Sequence, residues 1–166
     1  MDFDSPERST AFGATSAIRC IVVGSLAALA TPAAAQPVTL DKEIRTALTQ
    51  WMTDFNAGRT DKVCDIFAPT LRADVDGFGA ERGFDEQCKL LKAALADPEH
   101  TFSYALDLKE ILADGDMAAV RLVWTLTSKT KATGETKVAE EQGLDIFGRS
   151  SDGQWKIIRF MSYERN

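Results

Sequence analysis

The chain has a single histidine, His100, among its 166 residues. One imidazole cannot furnish a multi-histidine metal site, so no metal centre is expected, and a Ser-His-Asp triad would have to be built on that one residue. Flanked by Glu99 and Thr101 just after Asp97-Pro98, His100 reads as a solvated loop residue. Basic residues are outnumbered as well: 19 Lys and Arg stand against 25 Asp and Glu, a net charge of −6. That balance, with the signs mixed, excludes the basic face a nucleic-acid binder needs. No apolar run reaches the roughly 20 residues of a bilayer-spanning helix, and no basic amphipathic stretch suggests membrane-surface binding. Internal repeats and low-complexity tracts are missing too. Cysteines number three, with no Cys-x-x-Cys spacing to lower a thiol pKa.

What is present begins with an export pattern. Arg19 precedes the short apolar run Cys20–Ala30, followed by the helix breaker Pro32 and then Ala33-Ala34-Ala35-Gln36. A basic residue, a brief apolar run and a small-x-small site together describe a cleavable secretion signal. Residues 1–35 are therefore expected to be removed between Ala35 and Gln36, leaving residues 36–166 as one periplasmic or secreted domain with no stable membrane anchor. Cys20 opens the apolar run instead of following it, which rules out a lipoprotein reading. The domain keeps Cys64 and Cys88, and an even pair in an oxidising compartment reads as a disulfide.

Periodicity divides the domain into helices first and strands afterwards. A helix is expected over Leu40–Ala57, capped by Thr39, with Ile44, Leu48, Trp51, Met52 and Phe55 on one face and Gly58 at its end. A short second helix from Thr60 would point Val63, Ile66 and Phe67 inward and stop at Pro69; a strand Leu71–Val75 and a third helix Phe84–Leu95 follow. Beyond Asp97-Pro98 the period falls to two. Strands are expected at Phe102–Leu108, Met117–Ser128, Glu135–Gly148 and Gln154–Tyr163, joined at Asp114-Gly115-Asp116, Ala132-Thr133-Gly134 and Ser151-Asp152-Gly153. Helices followed by an antiparallel meander imply an α+β domain with helices on one face of a bent sheet.

Two local motifs carry a resemblance. Phe55-Asn56-Ala57-Gly58-x-x-Asp61 through Ile66-Phe67-Ala68, and Gly143-Leu144-Asp145-Ile146-Phe147 with Asp152-Gly153 and Trp155-Lys156-Ile157, resemble the ketosteroid-isomerase and nuclear-transport-factor-2 superfamily, in its SnoaL-like branch. The likeness covers nearly all of residues 39–163. It implies a cone: a curved antiparallel sheet wrapped around three N-terminal helices, with an apolar pocket at one end. Position by position, the steroid isomerases' oxyanion-donating tyrosine corresponds to Trp51, and their general-base aspartate to Val75, between Asp74 and Asp76. Their second oxyanion donor, a protonated aspartic acid, corresponds to Asp145. The superfold hosts enzymes, binding modules and scaffolds alike, so one match in three does not carry the isomerase mechanism over.

Asp145 is the most informative residue. Between Leu144 and Ile146, and sharing a strand face with Gly143 and Phe147, it is expected either to pair with Arg121 or to sit buried with a raised pKa as an acid/base. Pairing the hairpin about Ala132 puts Arg121 opposite Gly143, on the face of Asp145. Trp51, Phe55, Phe67, Tyr104, Phe147 and Phe160 supply aromatic walls for a ligand pocket whose polar end is Arg121 and Asp145. Trp124, with Val120 and Leu122, serves either that pocket or a sheet-to-sheet homodimer of the kind the resemblance implies. Asp74 and Asp76 beside Gly77 read as turn chemistry, since Arg72 and Gly83 stand where a calcium loop needs acids. Gly77-x-Gly79-x-x-x-Gly83 is not the dinucleotide fingerprint, and no cofactor is expected. Three functions remain: a module binding a small, partly apolar molecule, an isomerase or cyclase using Asp145, and a scaffold binding a partner through the open sheet face. An enzyme needs Asp145 unpaired at the base of a pocket; a scaffold needs a filled cone and an exposed apolar sheet.

Overall fold

The computed structural model describes residues 37–165, so the expected signal and its cleavage site at Ala35 and Gln36 lie outside the described residues. Helix α1 spans Pro37–Asn56, three residues earlier than the sequence suggests. Proline suits a first helical turn, where its missing N–H costs nothing, and Thr39 is consequently inside the helix. Leu40, Ile44, Leu48, Trp51 and Phe55, spaced three and four apart, are its buried face. The helix closes in a Schellman arrangement: Arg59 N–H donates to the Asp54 carbonyl at 3.0 Å and Gly58 N–H to that of Phe55 at 2.8 Å. Gly58 takes φ +70° there, a left-handed conformation that glycine adopts without a Cβ clash.

Residues 60–66 form successive turns instead of the expected second helix. Their backbone bonds run from Lys62 to Arg59, Asp65 to Lys62 and Phe67 to Cys64, each spanning three residues. Such a short segment, held between the Gly58 turn and a strand that already starts at Phe67, cannot propagate an α-helix. The same three-residue spacing still turns Val63, Ile66 and Phe67 into the core. Strand β1, Phe67–Val75, and the two-residue β2, Arg82–Gly83, precede α2, Phe84–Leu95. The disulfide is present: Cys64 and Cys88 are bonded with Cα atoms 5.6 Å apart. It ties the turn segment, not a second helix, to α2.

Four long strands follow: β3 His100–Asp114, β4 Met117–Thr130, β5 Thr136–Arg149 and β6 Trp155–Glu164. The sheet order is β2-β1-β6-β5-β4-β3. The meander is antiparallel, but β1 joins it parallel to β6, with Phe67 against Ile157 and Ala73 against Phe160. The sheet is therefore mixed, open and curved. Among the described residues there are two helices where three were expected. β-Bulges at Leu108/Glu110 and Ile146/Phe147 interrupt the ladders, and such insertions increase local bend and twist. The core lies between α1 and the inner sheet face, where Leu71, Val120, Leu122 and Phe147 are fully buried. No helix among the described residues is long and apolar enough to cross a membrane.

Candidate functional site

Strand pairing decides which side chains meet inside the curved sheet. Asp145 pairs with Val120 on β4 and Phe160 on β6; Gly143 with Leu122 and Ser162; Glu141 with Trp124 and Glu164. Because side chains alternate across a strand, these residues share the inner face. Of these, Asp145, Gly143, Glu141, Trp124, Phe160 and Ser162 wall a cavity of about 70 Å³ together with Leu48 and Trp51 of α1, Ile66 and Phe67 before and within β1, Gln87 and Leu91 of α2, Tyr104 of β3 and Ile157 of β6. That volume holds a few water-sized groups, one water needing roughly 10–15 Å³. It is well short of the roughly 300–1,000 Å³ that encloses a drug-sized molecule.

Asp145 is 5% exposed, with no ion pair and no side-chain hydrogen bond among the described residues; burial alone pushes its carboxyl up to about 7. The expected partner is elsewhere. Arg121 pairs with Leu144, which turns it to the outer face, where it lies 3.5 Å from Glu110 and is half exposed. The hairpin turns about the bond between Ala132 and Thr133, since Lys129 pairs with Thr136, and a one-residue slip in register reverses the face of every side chain.

The aromatic residues divide. Trp51, Phe67, Tyr104 and Phe160 line the cavity, as does Trp124; Phe55 and Phe147 are fully buried core beside it. Trp51 lies at the centre of the cluster, its ring 5.1 Å from Trp124, 5.6 Å from Tyr104 and 5.6 Å from Phe55. Its indole Nε1–H donates to the Val63 carbonyl at 2.9 Å, so that donor is committed within the protein. Val120 and Leu122 face inward with Trp124, which removes them from any outer dimer surface. The outer face instead exposes Leu112, Met117, Leu144, Met161 and Tyr163.

Three polar groups of the wall were not anticipated. Gln87 is 8% exposed and its Oε1 has no hydrogen-bond partner. Glu141 is held above its ordinary range by burial and by the neighbouring Glu164 charge, with Arg82 acting the other way. Ser162 opens onto the cavity beside it. Burial also raises the Tyr104 hydroxyl. The period-two pattern could have found Glu141, which lies four residues from Asp145 on one strand face; Gln87 carried no signal beyond its place next to Cys88.

The remaining polar candidates are structural. Asp97 Oδ1 accepts from the backbone N–H groups of Glu99 and His100 at 2.7 and 2.8 Å, which holds its carboxyl below its ordinary range. His100 begins β3, with Nδ1 3.4 Å from the same oxygen. Asp76 accepts from Gly77 N–H at 3.0 Å, in the turn that follows β1. Val75 is half-buried at the strand's end, with Asp74 exposed beside it.

The SnoaL-like domain family matches residues 48–158, while no curated protein matches the sequence. Among solved structures, a ketosteroid isomerase-like protein from Erwinia carotovora atroseptica is similar at 24% identity, TM-score 0.63, over 75% of this chain and 95% of its own. A conserved protein from Planctomyces limnophilus is 18% identical with TM-score 0.67, over 77% and 98%. A nuclear-transport-factor-2-like protein with a cystatin-like fold from Novosphingobium aromaticivorans is 18% identical with TM-score 0.63, over 78% and 84%. At these identities the likeness concerns the fold.

Proposed function

From the premise that this chain belongs to the SnoaL-like domain family, we propose that it binds a small, partly apolar molecule, or the end of a larger one, in the cavity around Asp145. One observation carries the reading: a buried carboxyl with no partner faces an aromatic cavity. A buried polar group left unpaired costs a folded protein about 1–3 kcal/mol, and a ligand that supplies the partner recovers that cost. The test is to incubate the purified protein with a metabolite extract and identify retained molecules by mass. A molecule retained by the wild type and lost in Ser162→Phe, which fills the cavity, supports the reading. No retention, or equal retention by Ser162→Phe, overturns it.

A second reading has an observation of its own. A carboxyl titrating at about 7 exchanges protons at neutral pH, as an acid/base requires. The steroid-isomerase set is incomplete, however: the Trp51 donor is spent on Val63 and Val75 occupies the base position. Any proton transfer would rest on Asp145, with the Glu141 carboxyl and the Tyr104 hydroxyl as the other titratable groups on the wall. Deuterium uptake from solvent into small acyclic ketones such as butanone, abolished by Asp145→Asn, would establish it; no uptake above buffer would dismiss it.

The reading includes export and self-association. The pattern in residues 1–35 supports a signal, and the Cys64–Cys88 bridge suits an oxidising compartment. Protein recovered outside the cytoplasm should begin at Gln36 by N-terminal sequencing. The exposed apolar residues of the outer face support a homodimer through the sheet.

A further inference from the structure

Three of the cavity's polar side chains present acceptor oxygens, beside the Ser162 and Tyr104 hydroxyls, which can also donate. Asp145 and Glu141 are carboxyls, which only accept when ionised; Gln87 presents a buried Oε1 without a partner. Among the described residues, no Lys, Arg or His lines the wall. Around these acceptors stand the rings of Trp51, Tyr104 and Trp124, whose faces attract cations. We propose that the cavity takes a primary ammonium group at the end of an alkyl chain, with Asp145 as its counter-charge and Gln87 Oε1 as a further acceptor. This rests on the ligand-binding reading and names the class of ligand.

Three alternatives fit the wall less well. An anion would meet two carboxyls. Arg82 is off the wall with its guanidinium 4.3 Å from the Phe78 ring, and its charge acts on Glu141 and Tyr104. It offsets Glu141 and leaves Asp145 uncompensated. A hydrocarbon would leave both Asp145 and Gln87 buried and unpaired, the costly state for polar groups. A neutral alcohol has one proton to donate, where an ammonium has three and a charge. Size agrees: about 70 Å³ admits an ammonium and a few carbons, not a ring system.

Affinity should depend on pH through Asp145. Its neighbours on the wall are Glu141 on the same strand, Tyr104 from β3 and Gln87 from α2, while α1, β1 and β6 contribute Leu48, Trp51, Phe67, Ile157, Phe160 and Ser162, which do not titrate. Arg82 and Glu164 act on Glu141 from beside it. Below about 7 Asp145 holds a proton that an entering ammonium must displace, so amine binding weakens as pH falls through that value.

The experiment compares n-butylamine, n-butanol and butyrate by calorimetry and tryptophan fluorescence at pH 8. Butylamine should bind about tenfold or more tightly than butanol, as a charge-assisted bond does, and butyrate least. Asp145→Asn, nearly isosteric, should reduce the amine's advantage to about threefold or less. Carbon-13 spectra of the Asp145 carboxyl should show its titration moving to lower pH with amine bound. Butanol or butyrate binding as tightly as butylamine, or an amine advantage that survives Asp145→Asn, overturns the ammonium assignment but leaves the cavity reading standing. If none of the three binds and Ser162→Phe changes no metabolite retention, both fall.

Discussion

Replacing Asp145 by asparagine should stabilise the protein, and by an amount that depends on pH. Unfolded, its carboxyl ionises at the ordinary value of 3.8; in the fold it keeps its proton up to about 7. Below 3.8 both states are protonated and the group has no pH-dependent effect. Between those values the unfolded chain releases a proton that the native one retains, so wild-type stability falls as pH rises, and it levels off above about 7. The gap between 3.8 and about 7, at roughly 1.4 kcal/mol per pH step, amounts to a loss on the order of 4 kcal/mol. The group is fully buried, so solvent screening does not reduce the figure. Asp145→Asn keeps the shape and removes the titration. Its stability relative to wild type should therefore be within about 1 kcal/mol at pH 4 and rise by about 3–4 kcal/mol by pH 8. Urea unfolding at half-unit pH steps reads this as a difference in midpoints growing by about 2 M, for a slope near 2 kcal/mol/M. All other titrating groups cancel in the difference. A difference constant to within about 0.5 kcal/mol from pH 4 to 8 would refute the burial argument, because it would mean Asp145 is ionised in the native state at little cost.

Other outcomes follow from the same geometry. Cys64→Ser with Cys88→Ser opens a bridge of sequence separation 24 and should cost about 3–4 kcal/mol on the chain-entropy model, read by denaturant unfolding. Asn56 uses its amide like a strand partner, accepting from Tyr104 N–H and donating to the Tyr104 carbonyl, both at 2.8 Å. Asn56→Ala should cost about 1–2 kcal/mol and speed amide exchange at Tyr104. A Cβ at Gly143 would lie 3.0 Å from Leu122 Cδ1, so Gly143→Ala should destabilise by about 1–3 kcal/mol, seen as a lower Tm. If the outer face is the dimer surface, Leu144→Lys with Met161→Lys should yield a monomer by light scattering, with the melting curve of the fold otherwise kept.

The sequence exposed what local rules govern. Helix α2 was legible to the residue because Gly83 precedes it and Asp97-Pro98 forbids its continuation. The four long strands were legible from alternation, except that β3 runs on to Asp114, past its expected end at Leu108. Three things were not. The backbone conformation of residues 60–66 escaped because Val63, Ile66 and Phe67 have a spacing that suits a run of three-residue turns as well as a helix. The register of β4 and β5 escaped because Ala132-Thr133-Gly134 marks a loop without giving its length. The loop is even, Thr130 N–H bonding to the Glu135 carbonyl at 2.9 Å, and that parity moved Arg121 away from Asp145. Gln87 escaped for another reason: which side chain of an amphipathic helix meets a cavity depends on how far the helix is rotated over the sheet, a property of the packed whole.

The parallel pairing of β1 with β6 sets an order of events. Phe67 meets Ile157 only after the last strand has been made, while each hairpin of the meander closes across a short turn. Contacts distant along the chain form slowly because loop-closure entropy must be overcome first. The meander should gather early and the segment from Phe67 to Val75 dock late. The cavity, walled by α1 and β1 from one end of the domain and by β6 from the other, then comes into being only at the final step, and a chain halted before Trp155 would lack the wall formed by Ile157, Phe160 and Ser162.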